Sequence, residues 1–353
     1  MAHMIESSDM IFTRIGDSRA WHGLDTQIDF QSYDWKTTGF GYGVVVDALN
    51  TSHGFAQAHG LVSTRNGKLM RVCSIDAVVD QPAAIAVWFE NLCKLLGATI
   101  VSAGTLEDTA RFFFCAELPG TLRDLGNGDT ISRYLVLTGS YDGQHPLAVY
   151  LWEKRAVCNN TLPSATHENG VIFKARNGKS ERLTDELCYK VADSIRNIKA
   201  ELLQKQSDVF GALVASKIDP YRDVNPFAHL VAGDGGKLLD RVIRFSSPEL
   251  AKGNLLDRCL AATIDVAAWR SLRAFEMSPT ARKIAVNTLE GMGAELDTAK
   301  ETAWGLLNAA TQTFDHDSKR EAVQQVEARM FQSFAAEKQN ALVLASAIAN
   351  TNW

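Results

Sequence analysis

No stretch of this chain approaches the roughly 18 consecutive apolar residues that span a bilayer, and residues 1–10 lack both the basic flank and the apolar core of a secretion signal. The expected location is therefore the cytosol, with no membrane partner. The opening Met-Ala-His-Met reads as a vector-derived leader, with Met4 or Met10 as the natural start, and takes no part in the fold reasoning. There is no Cys-x-x-Cys pair. The six cysteines, Cys73, Cys93, Cys115, Cys158, Cys188 and Cys259, lie tens of residues apart with no histidine at zinc-ligand spacing. They are expected to pack as small hydrophobes, with no metal and no cofactor. Cations are not in surplus either. The formal net charge is −5, which excludes attraction to phosphate by bulk charge and leaves only a local basic groove for any nucleic acid. Repeats and low-complexity tracts are also missing.

Catalytic signatures are equally scarce. No Gly-x-Ser-x-Gly elbow, His-Glu-x-x-His helix or dinucleotide fingerprint occurs. Gly233-Asp234-Gly235-Gly236-Lys237 falls short of a phosphate loop, because Leu238 stands where a Ser or Thr hydroxyl is needed. It reads as a loop between helices. A restriction-type nuclease places an acid and then Glu-x-Lys on adjacent strands. Here Asp142 precedes Glu153-Lys154-Arg155, so the lysine comes one place early and faces the opposite way, and that reading requires Arg155 to replace it. The eight histidines are scattered. His22 and His316 read as structural hydrogen-bonders, with Asp315-His316 capping a helix end.

What is present is an ordinary globular composition, 353 residues with 46% hydrophobic and 22% charged, enough for one large or two modest cores. The texture changes along the chain and predicts an α+β protein. An antiparallel β-rich N-terminal half with a packed helix is followed by a mostly helical C-terminal half. The division is an arm over 1–38, a β-rich core over 39–179 and a helical region over 180–353.

Strands are expected at 41–48, then in a hairpin over 60–72 turning at Asn66-Gly67, whose two positions tolerate positive φ. Pro82 opens a helix through Ile85, Trp88, Phe89 and Leu92 that stops at Gly97. Further strands follow at 98–103, 110–118, 131–138 and 147–157, the last two flanking Tyr141-Asp142-Gly143. Another covers 171–175. A long helix is expected over 181–217, then helices separated by Pro220, Pro226, the 233–236 loop and Pro248. Apolar residues at three- and four-residue spacing mark 255–275, 280–289, 296–314 and 320–349.

The stretch 147–162 carries the most chemistry. Its alternation puts Trp152 and Lys154 on one face of a strand and Glu153 and Arg155 on the other, and it ends in Asn159, Asn160 and Thr161. Two readings stand side by side: a central strand capped by a side-chain-stabilised turn, and a nucleic-acid contact.

Several motifs resemble one family. They are Trp21-His22-Gly23-Leu24, Tyr141-Asp142-Gly143, the run Lys154-Arg155-Ala156-Val157-Cys158-Asn159-Asn160-Thr161-Leu162, and Ala303-Trp304-Gly305-Leu306-Leu307-Asn308-Ala309 continuing to Asp315-His316. Together they resemble the phage/plasmid-like protein family, a domain of unknown function found in phages, plasmids and their hosts. The chain departs from that pattern at Ala156, at one extra asparagine, and at Asp25 where glycine is usual. The resemblance implies a mobile-element setting in a bacterial host cell and assigns no activity.

The element order, hairpin, helix, antiparallel strands and long helix, is also similar to that of single-strand annealing recombinases of the RecT and Redβ type. That analogy implies stoichiometric binding of single-stranded DNA by a homo-oligomer. Phosphates would lie against Arg65, Lys68, Arg71, Arg133, Lys154, Arg155, Lys174 and Arg176, with Asn159 and Asn160 as polar contacts and Trp152 as a stacking face. A phage nuclease or a host protein is a further partner under these readings. The competing expectation is a non-enzymatic protein that binds a host protein and ignores DNA.

Overall fold

The computed structural model describes residues 26–27, 44–48, 58–63, 67, 69–74, 79–106, 110–121, 123–155, 161–162, 171–174, 183–198, 200–232, 236–272, 277–316, 334–351 and 353. Trp21 to Leu24, Arg65, Lys68, Cys158, Asn159, Asn160, Arg176, the 233–235 loop and the boundary expected at 179/180 lie outside the described residues, as does the N-terminal arm except for Thr26 and Gln27.

The expected α+β division holds. Strands β1 (Thr26–Gln27), β2 (Val44–Ala48), β3 (Ala58–Ser63) and β4 (Leu69–Ser74) precede helix α1 (Pro82–Leu96). Next come β5 (Thr99–Leu106), β6 (Arg111–Glu117), β7 (Arg123–Asp124), β8 (Thr130–Ser140), β9 (Ala148–Arg155), β10 (Thr161–Leu162) and β11 (Val171–Lys174). The main sheet runs β1-β5-β6-β8-β9-β10, with β7 on β8 and β11 on β9, and every pairing is antiparallel.

A separate sheet, β2-β3-β4, holds the Asn66-Gly67 hairpin, with Gly67 at φ 69°, a conformation that glycine adopts without steric cost. Leu61 pairs with Arg71 while Val62 pairs with Leu69, so Met70 is an extra residue on β4. This bulge resets the alternation. Leu69 and Val72 both face outward and are half-exposed, while Arg71 and buried Cys73 turn inward.

The helical half contains α2 (Asp185–Arg196), α3 (Ala200–Ala215), α4 (Pro220–Ala232), α5 (Gly236–Val242), β12 (Ile243–Phe245), α6 (Pro248–Ala251), α7 (Leu255–Ala261), β13 (Ala262–Ile264), α8 (Val266–Ser271), α9 (Pro279–Glu290), α10 (Ala303–Asp315) and α11 (Ala335–Ala349).

Four expectations need correction. The single helix over 181–217 is two, because Thr184 caps α2 through Leu187 N–H and the chain leaves the helix at Asn197. Pro226 sits inside α4 instead of ending it. The 255–275 run is broken by β13, which pairs with β12, a ribbon that helical periodicity hides. In 296–314 the α-helix begins only at Ala303, capped by Thr302.

Two cores result. One face of the main sheet packs on α1 and α2 through Phe112, Phe114, Leu135, Leu137, Val149 and Leu151. The other core is helical, centred on Phe210, Phe227, Trp269, Trp304 and Leu344, and it takes in Ile131 and Leu162 from the sheet. No helix among the described residues is long and apolar enough to cross a membrane.

Candidate functional site

Strand β9 was the richest stretch in the sequence, and it is buried along its whole length. The expected alternation is present, but both faces are interior. Val149 and Leu151 enter the sheet core. Two steps further on the same face, Glu153 and Arg155 lie against the helical half, where a strand interior has to satisfy charge with charge.

Arg155 is 0% exposed, as is Asp129, which ends the turn before β8. Arg155 Nε donates to Asp129 Oδ1 and Nη2 to Oδ2, each at 2.7 Å. Thr298 Oγ1 (2.7 Å) and Trp304 Nε1 (3.0 Å) donate to the same Oδ2, and the guanidinium lies 5.8 Å from the Trp304 ring centre. Burial alone would raise the Asp129 carboxyl, but the bonds and charge of Arg155, with Thr298 and Trp304, outweigh it and hold the group below the usual carboxylate range. This network ties the sheet to the helices. The family-like motif at 303–309 is explained by it. Trp304 supplies a donor, and Gly305 lets α10 approach the Ala299 carbonyl, which a Cβ there would meet at 2.1 Å.

Arg133 reaches Glu153 with Nε (3.2 Å) and Nη2 (2.7 Å), both to Oε1. Gln206 on α3 donates to Glu153 Oε2 and accepts from Arg133 at 2.9 Å. This trio forms the floor of a cleft of about 350 Å³ between β7, β8 and α3. At its rim, Arg123 Nη2 donates to Ser207 O at 2.8 Å, and the guanidinium lies 6.0 Å from the centre of the Phe210 ring.

On the opposite face of β9, Lys154 Nζ lies 5.0 Å above the Tyr134 ring and Trp152 packs 6.3 Å from Tyr150. Both side chains are buried. Arg155, Lys154 and Trp152 are therefore corrected from ligand contacts to interior residues, since none has a surface on which a phosphate or base rests. Arg133 is committed to Glu153, though it borders the cleft. Lys174 lies on β11, and Arg71 is half-buried on β4.

Arg71 extends to the Tyr141-Asp142-Gly143 turn. A Cβ at Gly143 would lie 2.7 Å from its Nη1. In that turn Asp142 is held by Arg111 Nε at 2.9 Å and by Gln144 N–H at 2.8 Å. Burial pulls the Asp142 carboxyl upward, but these donors outweigh it and keep it low.

The nuclease geometry does not form. Glu153 sits opposite Arg133, while Asp142 lies beyond Ser140 at the far end of β8, and Ser140 alone is roughly 23 Å along the strand from Arg133 at about 3.3 Å per residue. Each carboxylate has its own arginine. Among the described residues no group of three His, Cys, Asp or Glu is placed to hold a metal ion. The helix end expected at Asp315-His316 is present, with His316 as the C-cap residue whose N–H reaches the Gln312 carbonyl, while Asp315 is buried and paired with Lys338 Nζ of α11 at 2.5 Å.

Sequence reasoning missed Asp129, Thr298, Trp304, Gln206 and Arg123. Only Trp304 carried a signal, as part of the family-like motif.

Residues 77–202, from just before α1 into the start of α3, match the model of a family described as Domain of unknown function (DUF932). No curated protein and no solved structure matches the chain.

Proposed function

We propose that this chain is a non-enzymatic DNA-binding protein of a mobile element, holding single-stranded DNA for annealing in phage or plasmid recombination as a homo-oligomer. The supporting observation is the approach of Arg71 to Gly143, which brings the β3–β4 hairpin against the β8–β9 turn. Residues 60–72 carry Arg65, Lys68 and Arg71 with no carboxylate, in a chain of net charge −5. A local cation excess of this kind is what a phosphate backbone needs from an otherwise acidic protein. The contact then lies at the hairpin end, not on β9. Phosphates rest on the cations and base edges stay free to find a complement.

The test is binding of the purified chain to labelled single- and double-stranded oligonucleotides at low and moderate salt, with size analysis alongside. Salt-sensitive binding by an oligomer, lost in an Arg65→Glu/Lys68→Glu/Arg71→Glu variant that still folds, is the expected result. A folded sample that binds nothing at low salt ends this reading.

A second reading, binding of a host protein, is favoured by one observation. Val286 and Leu289 lie one helical turn apart on the outer side of α9, followed by Met292, and all three are exposed, Leu289 by 65%. A protein using that face retains a host partner, loses it on Leu289→Asp and ignores DNA.

A further inference from the structure

We propose that the cleft between β7, β8 and α3 is an oxyanion site that takes a phosphate group on Arg123.

The first reason is the state of Arg123 itself. It is half-buried and forms no ion pair among the described residues. Its Nη2 is anchored by the Ser207 carbonyl and its plane by the Phe210 ring, so the guanidinium is held in place, yet Nε and Nη1 have no hydrogen-bond partner among the described residues. Burial lowers its pKa, with Glu153 and Asp208 pulling the other way, but a guanidinium stays charged under all ordinary conditions. A fixed, partly desolvated cation with free donors is a preorganised anion receptor, because the ordering cost is met in folding.

Charge balance is the second reason. The nearby carboxylate Glu153 is already occupied, one oxygen by Arg133 and the other by Gln206. The exposed Asp208 accepts from Gln204 at 2.8 Å. Among the lining residues Arg123 and Arg133 against Glu153 leave one positive charge in excess, with Asp208 outside the lining on the solvent side.

Shape is the third. The cleft, about 350 Å³, is at the lower end of the size that holds a small ligand. Its polar groups come from two sides, Arg123 and Ser132 from the strands, Gln204 and Ser207 from α3. Donors arriving from two walls suit a tetrahedral phosphate better than a planar carboxylate. The phosphate belongs either to a free small molecule or to a nucleic-acid backbone, and the chemistry of recognition is the same.

The experiment is calorimetric titration of the full chain with inorganic phosphate in a phosphate-free buffer, alongside Arg123→Gln and Gln204→Glu. The second variant lies on an exposed helix position and places a carboxylate at the rim without touching the core. Saturable binding is expected for the unmodified chain, and binding about ten-fold weaker in both variants, as befits loss or repulsion of a charge-assisted contact, with unchanged thermal transitions. Absence of saturable phosphate binding by the folded chain, or an affinity in either folded variant equal to that of the unmodified chain, overturns the proposal. Competition by a short oligothymidylate assigns the phosphate to a nucleic-acid backbone, and its failure to compete assigns it to a small molecule. The hairpin charge variant retains phosphate binding, so the site and the DNA reading succeed or fail separately.

Discussion

Asp129 and Arg155 meet through two hydrogen bonds of 2.7 Å with neither side chain exposed to solvent. The pair joins the turn before β8 to the end of β9, and Trp304 and Thr298 close it from the helical half. It is one of the points at which the sheet and the helices are joined.

Breaking one side of this pair strands the other as a buried charge. Arg155→Met and Asp129→Leu are each expected to cost about 3–5 kcal/mol, while the double variant recovers a large part of that loss, because an apolar pair leaves no uncompensated charge. Lys154→Glu/Arg155→Glu, which a surface contact would tolerate, is expected to unfold the chain. Urea denaturation followed by circular dichroism reads both effects. Additive single losses would show that the pair is not coupled.

Acid stability follows from the same carboxylates. Asp129 and Asp142 are held below their ordinary range in the folded chain, so protons bind them more tightly when it unfolds. Their contribution is full above the unfolded aspartate value of about 3.9 and is lost as pH falls through the folded values. Thermal midpoints are expected to change little through this pair between about pH 7 and 5 and to drop below about pH 4. In Asp129→Asn the midpoint is lower at neutral pH and the acid drop is shallower. An acid drop as steep as that of the unmodified chain would rule Asp129 out as its source.

Gly305 tests the close approach of α10. A methyl group there meets the Ala299 carbonyl oxygen at 2.1 Å, and backbone on both sides leaves little room to yield. Gly305→Ala is expected to destabilise by about 1–3 kcal/mol despite the better helix propensity of alanine. A neutral or stabilising result in thermal unfolding would mean that the 299–302 turn shifts freely.

The thiols should be inert. Burial pushes Cys259 up to about 12 and Cys188 up to about 11, and raises Cys93 well above its ordinary value. Cys73 and Cys115 are buried as well. Iodoacetamide at pH 8 is expected to label no thiol among these five in the native chain and all five in denaturant, located by peptide mass mapping, which separates them from Cys158. Native labelling of any of them would show an opening that the packing does not provide.

Local signals were legible where a few residues suffice. Asn66-Gly67 specified a turn, Pro82 and Gly97 bounded a helix, and the 147–157 alternation placed Glu153 and Arg155 on one face of β9. What alternation leaves open is where that face points, because a strand buried on both sides and a strand facing water share the same period. The alternation left a central strand and a nucleic-acid contact side by side, because the partners of Glu153 and Arg155, Gln206 and Asp129, lie 53 and 26 residues away and Trp304 lies 175 residues from Asp129. Arg123, followed by Asp124 in sequence, gave no sign that it stands without a carboxylate partner among the described residues.

The sequence by itself determined the α+β division and the antiparallel hairpins, since these depend on periodicity, turn chemistry and residue spacing. Tertiary structure alone decided which charges are spent and which are free. Arg155 and Arg133 are neutralised by carboxylates that folding carries to them, and Arg123 is held by a carbonyl and a ring. A charge's availability depends on its neighbours in space, and those neighbours come from the far side of the chain.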